Sequence, residues 1–258
     1  MTLLDTQLSA WLADFFWPLV RIAAIFTAAP VLSARQLEPS LRILIALLVT
    51  FVAAPMLPKM PVVDALSFEA FNIMVQQLAI GLMMGFTLQM VFGALVYGGQ
   101  VMAYKMGLGF ASMVDPVNGL QTPVVAQIFI LMATLLFLVT NSHLILLELV
   151  VDSFRTLPVG ESLASLHLWN LVAWGSRMFQ GGLLMALPVV GTLLLVNLGM
   201  GVMARAAPQF NLFSVGFPIT IILGFVILWI SMPSIMNQFL ELLDEAFHLI
   251  AGFVGITL

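Results

Sequence analysis

Apolar residues run along this chain in blocks of membrane-spanning length, separated by short links rich in proline and polar residues. The blocks fall at about Trp11–Leu32, Leu41–Leu57, Phe68–Val101, Pro123–Val151, Met178–Met203 and Phe217–Phe239. No block keeps the period-2 alternation that the lumen face of a barrel would require. In a bilayer core the backbone must satisfy its own hydrogen bonds, so about 20 consecutive apolar residues predict a spanning helix. The pattern therefore predicts an all-α, polytopic membrane protein of about six long helices.

The blocks differ in ways that matter. At 1.5 Å per residue, the third exceeds a hydrocarbon core of about 30 Å, which predicts strong tilt or protrusion. It holds Gly81, Gly85, Gly93, Gly98 and Gly99, and Gly81 and Gly85 form a G-x-x-x-G pair suited to close helix contact. The fourth is continuously apolar only to Val139. Pro188 lies inside the fifth, and Pro218 and Pro233 near the ends of the sixth. A seventh stretch, Ala246–Leu258, is short and reads as a terminal surface or re-entrant element. The first sixteen residues, MTLLDTQLSAWLADFF, carry Asp5 and Asp14 and no basic n-region, so they are expected to be retained rather than cleaved.

Composition narrows the function classes. Of 258 residues, 62% are hydrophobic and 8% charged, too little polar surface for a soluble fold of this size. A net charge of −4 with eight Lys and Arg offers no basic surface for nucleic acid. Without cysteine there are no disulfides and no thiolate chemistry, and the three histidines are scattered. No G-x-S-x-G, H-E-x-x-H or phosphate-binding loop is present, so no enzyme and no cofactor is expected. With six spans the termini share a side. Lys59, Arg155 and Arg177 fall on that side, and Arg35, Arg42, Lys105 and Arg205 on the other, which favours a cytoplasmic placement of the second set.

Polar residues inside apolar blocks are the candidate sites. Arg21 lies mid-span with Asp14 seven residues before it, and reads either as an intersubunit or pore-facing contact, or as a satisfied structural pair or a snorkelling arginine near an interface. Glu148, Asp152 and Arg155 are spaced for mutual neutralisation at a helix end. The link GQVMAYKMGLGFASMVDPVNGLQTP, from Gly99 to Pro123, is the most unusual segment. It has the breakers Gly107, Gly109, Pro116 and Gly119, yet Met102, Met106, Phe110 and Met113 are apolar. A solvent loop would be more polar, so this one is expected inside protein or at a cavity mouth, where deformable Met suits a seal that yields.

Read together, RIAAIFTAAP (Arg21–Pro30), PSLRI (Pro39–Ile43), GQVMAYKMGLGFASMVDP (Gly99–Pro116) and GVMARAAPQFNLFSVGFPITIILG (Gly201–Gly224) resemble the FliR family of flagellar biosynthetic proteins and its type III secretion counterparts. Glu38 before Pro39, and Ala103–Lys105, depart from the family pattern. The resemblance implies a single-copy subunit of a bacterial export gate, assembled with FliP and FliQ homologues and meeting an FlhB homologue, through which unfolded substrates pass. It implies a FliP-like helical part over residues 1–170, a FliQ-like hairpin over 171–240 and an apolar tail over 241–258. It also implies a pore plug at 106–121, with Met106, Phe110, Met113, Asp115 and Pro116 as its candidate residues. Arg21, Arg42, Arg205, Pro208 and Asn211 become candidates for contact with partner subunits or with the FlhB homologue, the family's switch protein. The expected location is the bacterial inner membrane, at the flagellar basal body, with much of the helical mass toward the periplasm. Two alternatives stand beside this reading: a proton-coupled transporter, which would show inverted repeats, and a membrane enzyme, which would need His143, Glu148 and Asn197 in one wet pocket.

Overall fold

Ser67 starts the longest apolar block by capping it: its Oγ accepts from the Ala70 N–H at 3.1 Å and donates to the Asp64 carbonyl. In the computed structural model, which describes residues 3–31, 38–64, 66–109, 124–161, 168–206 and 216–256, this block is the 38-residue helix Phe68–Lys105. The described residues form α1 (Leu3–Ala28), α2 (Pro39–Ala53, followed by a 3-10 turn at Ala54–Met56), α3 (Phe68–Lys105), α4 (Val124–Val139), α5 (Ser142–Thr156), α6 (Leu168–Ala206) and α7 (Phe217–Val254). Among the described residues, five helices are long and apolar enough to cross a membrane, six if the bent pair α4 and α5 counts as one span. The protein is an all-α, polytopic membrane protein.

Three elements differ from the hydrophobic pattern. The fourth block bends by 65° between α4 and α5, because Asn141 adopts a left-handed conformation (φ 55°) and Thr140 and Ser142 hydrogen-bond to each other at 2.7 Å. Helices α6 and α7 are longer than their apolar blocks, since polar residues at their ends interrupt hydropathy but not helix geometry. The stretch from Ala246 onward is therefore no separate terminal or re-entrant element. It continues α7 without a break, buries Ala246, Phe247, Ile250 and Ala251, and ends at Gly255 (φ 73°).

The chain folds as two compact units that do not follow chain order: Met1–Met90 with Phe137–Ala173 and Asp244–Leu258, and Val91–Leu136 with Trp174–Leu243. Helices α3, α6 and α7 contribute to both. In the first unit, α1 meets α3 through small residues. A methyl group on Gly85 would lie 2.6 Å from the Ala28 Cβ, and one on Gly81 would strike the Arg21 carbonyl oxygen. The link after α2 straps across α1, with the Met60 N–H donating to Asp14 Oδ1 at 2.8 Å and Trp17 Nε1 to the Pro61 carbonyl at 3.3 Å.

In the second unit the closest approach is between α3 and α6. A methyl on Gly98 would sit 2.7 Å from the Gly182 carbonyl oxygen, and one on Gly182 would strike the Ala94 carbonyl. Gly99 gives α4 the same access, at Ala126. Edge-to-face pairs Phe92–Phe239 and Tyr97–Phe179, each with centroids 5.5 Å apart, fill the space beside these contacts.

These interfaces give a direct test. Gly182→Val should sharply reduce the amount of intact chain in membranes. Overpacking costs about 1–3 kcal/mol when side chains can rotate aside, and here the obstacles are backbone carbonyls. Gly191→Val, with nothing within 4 Å of the new side chain, should leave the level close to wild type. Quantitative immunoblots of the membrane fraction would compare the two.

Candidate functional site

Two places combine unusual residues with defined geometry, one in each unit. The first is Arg21. Its side chain has no exposed surface, and every part of the guanidinium is engaged. Nε donates to Gln77 Oε1 at 2.8 Å, Nη1 to the Ser153 carbonyl at 2.9 Å and to Ser153 Oγ at 2.8 Å, and Nη2 to the Leu157 carbonyl at 2.9 Å. The ring of Phe154 lies against its face, with the centroid 4.1 Å from Cζ.

The partners are an amide, a hydroxyl and two carbonyls, and none is a carboxylate. Ser153 and Leu157 lie at the C-terminal end of α5, at the negative end of the helix dipole, where the Ser153 carbonyl also accepts from the Leu157 N–H at 2.9 Å. The helix end thus acts as the counter-charge. Ser153 Oγ completes the network by donating to the Val150 carbonyl at 2.6 Å. Arg21 therefore ties α1, α3 and α5 together inside the chain. Asp14, the partner its spacing suggested, instead accepts from Met60.

The second place is the end of α3. The Leu108 N–H donates to the Ala103 carbonyl at 3.0 Å and the Gly107 N–H to the Tyr104 carbonyl at 3.1 Å, with Gly107 at φ 83°. These are the paired bonds of a Schellman closure. Here Met106 has no exposed surface, and its side chain packs on Gly224 of α7. A methyl group on Gly107 would approach the Phe217 ring at 2.9 Å. Two consecutive residues at the helix end thus rest on α7 at positions seven apart, which share one face of that helix.

The remaining candidates are less concentrated. Arg42 is half-buried in the first turn of α2, and Arg205 is exposed in the last turn of α6. Asp152 and Arg155 pair at 3.5 Å on the surface of α5, with Glu148 exposed on the same helix. Phe110, Met113, Asp115, Pro116, Pro208 and Asn211 lie outside the described residues. Among the described residues, no group of three or more His, Asp or Glu is placed to hold a metal ion. Sequence reasoning missed Gln77, Ser153 and Gly224. Gln77 alone carried a signal, as an amide deep in an apolar block.

The geometry is that of a packed helical scaffold, and comparison with known proteins says which one. A model of the family described as "Bacterial export proteins, family 1" matches residues 12–246. The flagellar biosynthetic protein FliR of Escherichia coli (strain K12) is 41% identical over 250 residues, covering 96% of this chain and 95% of that protein. The chain belongs to the FliR/SpaR family of bacterial export proteins. Other FliR/SpaR members resemble it over most of their length. FliR of Bacillus subtilis (strain 168) is 27% identical over 250 residues, covering 94% of this chain and 96% of that protein. The surface presentation of antigens protein SpaR of Shigella flexneri is 28% identical over 217 residues, covering 83% of each.

In this FliR/SpaR chain, Arg21→Lys should destabilise strongly. A single ammonium cannot reach acceptors on both α3 and the end of α5, and two stranded buried acceptors cost about 2–6 kcal/mol together. Ser153→Ala should cost about 1–2 kcal/mol by removing one acceptor of a charged donor. Arg155→Ala, which removes an exposed pair, should stay within about 0.5 kcal/mol. Thermal unfolding in mild detergent would rank the three, and equal losses for Arg155→Ala and Arg21→Lys would contradict the internal role of Arg21.

Proposed function

We propose that the chain is a single-copy structural and gating subunit of the flagellar type III protein export gate, and that it helps to form and seal the channel for unfolded export substrates. The observation that carries this reading is the 41% identity to a flagellar FliR over nearly the whole of both chains. Its partners are homologues of FliP, FliQ and FlhB, and its place is the bacterial inner membrane at the flagellar basal body, with helical mass raised toward the periplasm. The subunit acts without catalysis, through shape and apolar surface.

In this reading residues 1–170 are the FliP-like part, 171–240 the FliQ-like hairpin and 241–258 the tail that completes α7. The segment 106–121 is the plug. Met106 is turned into the chain, so it serves as the plug's anchor, and the occluding role falls to the other candidates, Phe110, Met113, Asp115 and Pro116. Arg42, Arg205, Pro208 and Asn211 are contacts for partner subunits or the switch protein, and exposed Arg205 at the end of α6 supports that assignment.

Many large apolar side chains face outward, among them Leu44, Leu48, Phe51 and Val52 on α2 and Trp229 and Ile230 on α7. An oligomeric gate gives such faces neighbours in protein or lipid. Deleting residues 110–119 should raise the resting ion conductance of the assembled gate while one copy of the chain still co-purifies with its partners. Unchanged conductance in a correctly assembled complex would remove the plug role.

A further inference from the structure

Helix α2 is the least enclosed of the five spanning helices: with its 3-10 turn it runs 18 residues, Pro39–Met56, and 17% of it is buried, against 28% or more for the other four. What it buries is small. Ala46, Thr50 and Ala53 are its buried residues, and α1 is the helix it packs on. At 3.6 residues per turn, Leu41, Leu44, Leu48, Phe51 and Val52 fall within one arc on the opposite side, and each is exposed.

Chemistry, shape and length all bear on what covers this face. From Ile43 to Pro58 the only polar side chain is Thr50, and its Oγ1 donates to the Ala46 carbonyl at 2.7 Å on the buried side. The outer row has no donor or acceptor to offer, whereas protein interfaces carry about one hydrogen bond per 100–200 Å². Helices elsewhere in this chain meet through small residues, as Gly81 and Gly85 meet α1 and Gly98 meets Gly182, because among apolar surroundings close approach decides association. On α2 the small residues already face α1, and the outer row contains none. Eighteen residues rise roughly 27 Å, close to a hydrocarbon core of about 30 Å. Charges stand only at the two ends, Glu38 and Arg42 at one and Lys59 at the other. The Lys59 end is marked again from α1: the Met60 N–H donates to Asp14, and Trp11, 77% exposed, lies one turn before Asp14. Tryptophan collects at the membrane–water interface.

We propose that the outer face of α2 meets the acyl chains of the bilayer, with Glu38 and Arg42 at one headgroup layer and Lys59 and Trp11 at the other. Leu41, Leu44, Leu48, Phe51 and Val52 form the lipid contact, and large side chains suit it because they need no matching surface. This assignment rests on the membrane character of the chain, and within the gate reading it reserves one outward face for lipid while others meet partner subunits.

The chain has no cysteine, so a nitroxide on Leu41→Cys, Leu44→Cys, Leu48→Cys, Val52→Cys or Met56→Cys reports one position at a time when the partners are also cysteine-free. In the assembled gate, returned to vesicles of phosphatidylethanolamine and phosphatidylglycerol, dissolved oxygen should reach the label several-fold more readily than a water-soluble nickel chelate. The ratio should peak near Leu48 and fall toward Leu41 and Met56. Low access to both probes at Leu48 would reveal a protein neighbour, and high access to the chelate an aqueous one; either overturns the assignment. Failure of the labelled Leu48→Cys variant to co-purify with its partners would do the same, because lipid accommodates the label and a packed interface does not. Truncation by Leu48→Ala with Phe51→Ala should leave the amount of co-purifying partner close to wild type, since acyl chains fill the space. Loss of the partners would identify a subunit interface and overturn the lipid contact. If the wild-type chain brings down no partners, the gate reading falls, and the oxygen profile is then read on the chain alone, so the two ideas fail separately.

Discussion

An arginine buried among apolar helices is tolerable only if acceptors surround it, and the arrangement of the first unit follows from meeting that demand at Arg21. The acceptors come from positions 56, 132 and 136 residues away in sequence. Three conditions bring them there. Gly81 and Gly85 let α1 and α3 approach to backbone contact, which sets Gln77 beside Nε. Asn141 turns the chain between α4 and α5, which lets α5 run independently of α4. The end of α5 then delivers the Leu157 carbonyl and a second bond to the Ser153 carbonyl, which also accepts from the Leu157 N–H. A carboxylate could have neutralised the charge, but it would have brought a second desolvated ion. Helix-end carbonyls give partial charge and hydrogen bonds without that cost.

The same economy runs through the interfaces between helices. On α2 the buried residues are Ala46, Thr50 and Ala53, spaced by four and three, while large aliphatic and aromatic side chains face out. In lipid or among apolar partners, burial of a large side chain gains little, because its outer surroundings are as apolar as the core. Packing distance then decides helix association, and small residues win the interface. This explains why the glycines of α3 divide so cleanly: Gly81 and Gly85 meet α1, Gly93 and Gly98 meet α6, and Gly99 meets α4.

Much of this was legible in the amino-acid sequence, and the rest was hidden for definable reasons. Class, helical content and the length of α3 follow from apolar run length, and the G-x-x-x-G pair announced close packing. The ends of α6 and α7 were read short, because Asn170, Ser176 and Arg177, and later Glu241, Asp244 and Glu245, break a hydropathy window while remaining good helix residues. Arg21 was legible as a site but not in its partners. Local spacing pointed to Asp14, whereas the actual acceptors are mostly backbone carbonyls, which have no signature in residue type. Gly224 was invisible for a similar cause, since a glycine in a membrane helix gains meaning only from what fills the space beside it.

The second unit contains two kinds of contact, and they respond differently to force. At Gly98 and Gly182 backbone lies on backbone, so any relative shift of α3 and α6 meets carbonyl oxygens at once. At Gly224 the opposing surface is a thioether on a flexible stem, so α7 can shift against the end of α3 by rotation about side-chain bonds. Gly107, in the left-handed region, closes α3 at that same end through its N–H bond to the Tyr104 carbonyl. Stiff packing thus fixes the frame, and the compliant contacts among the described residues include those in which a thioether faces a glycine, Met106 at Gly224 and Met178 at Gly93.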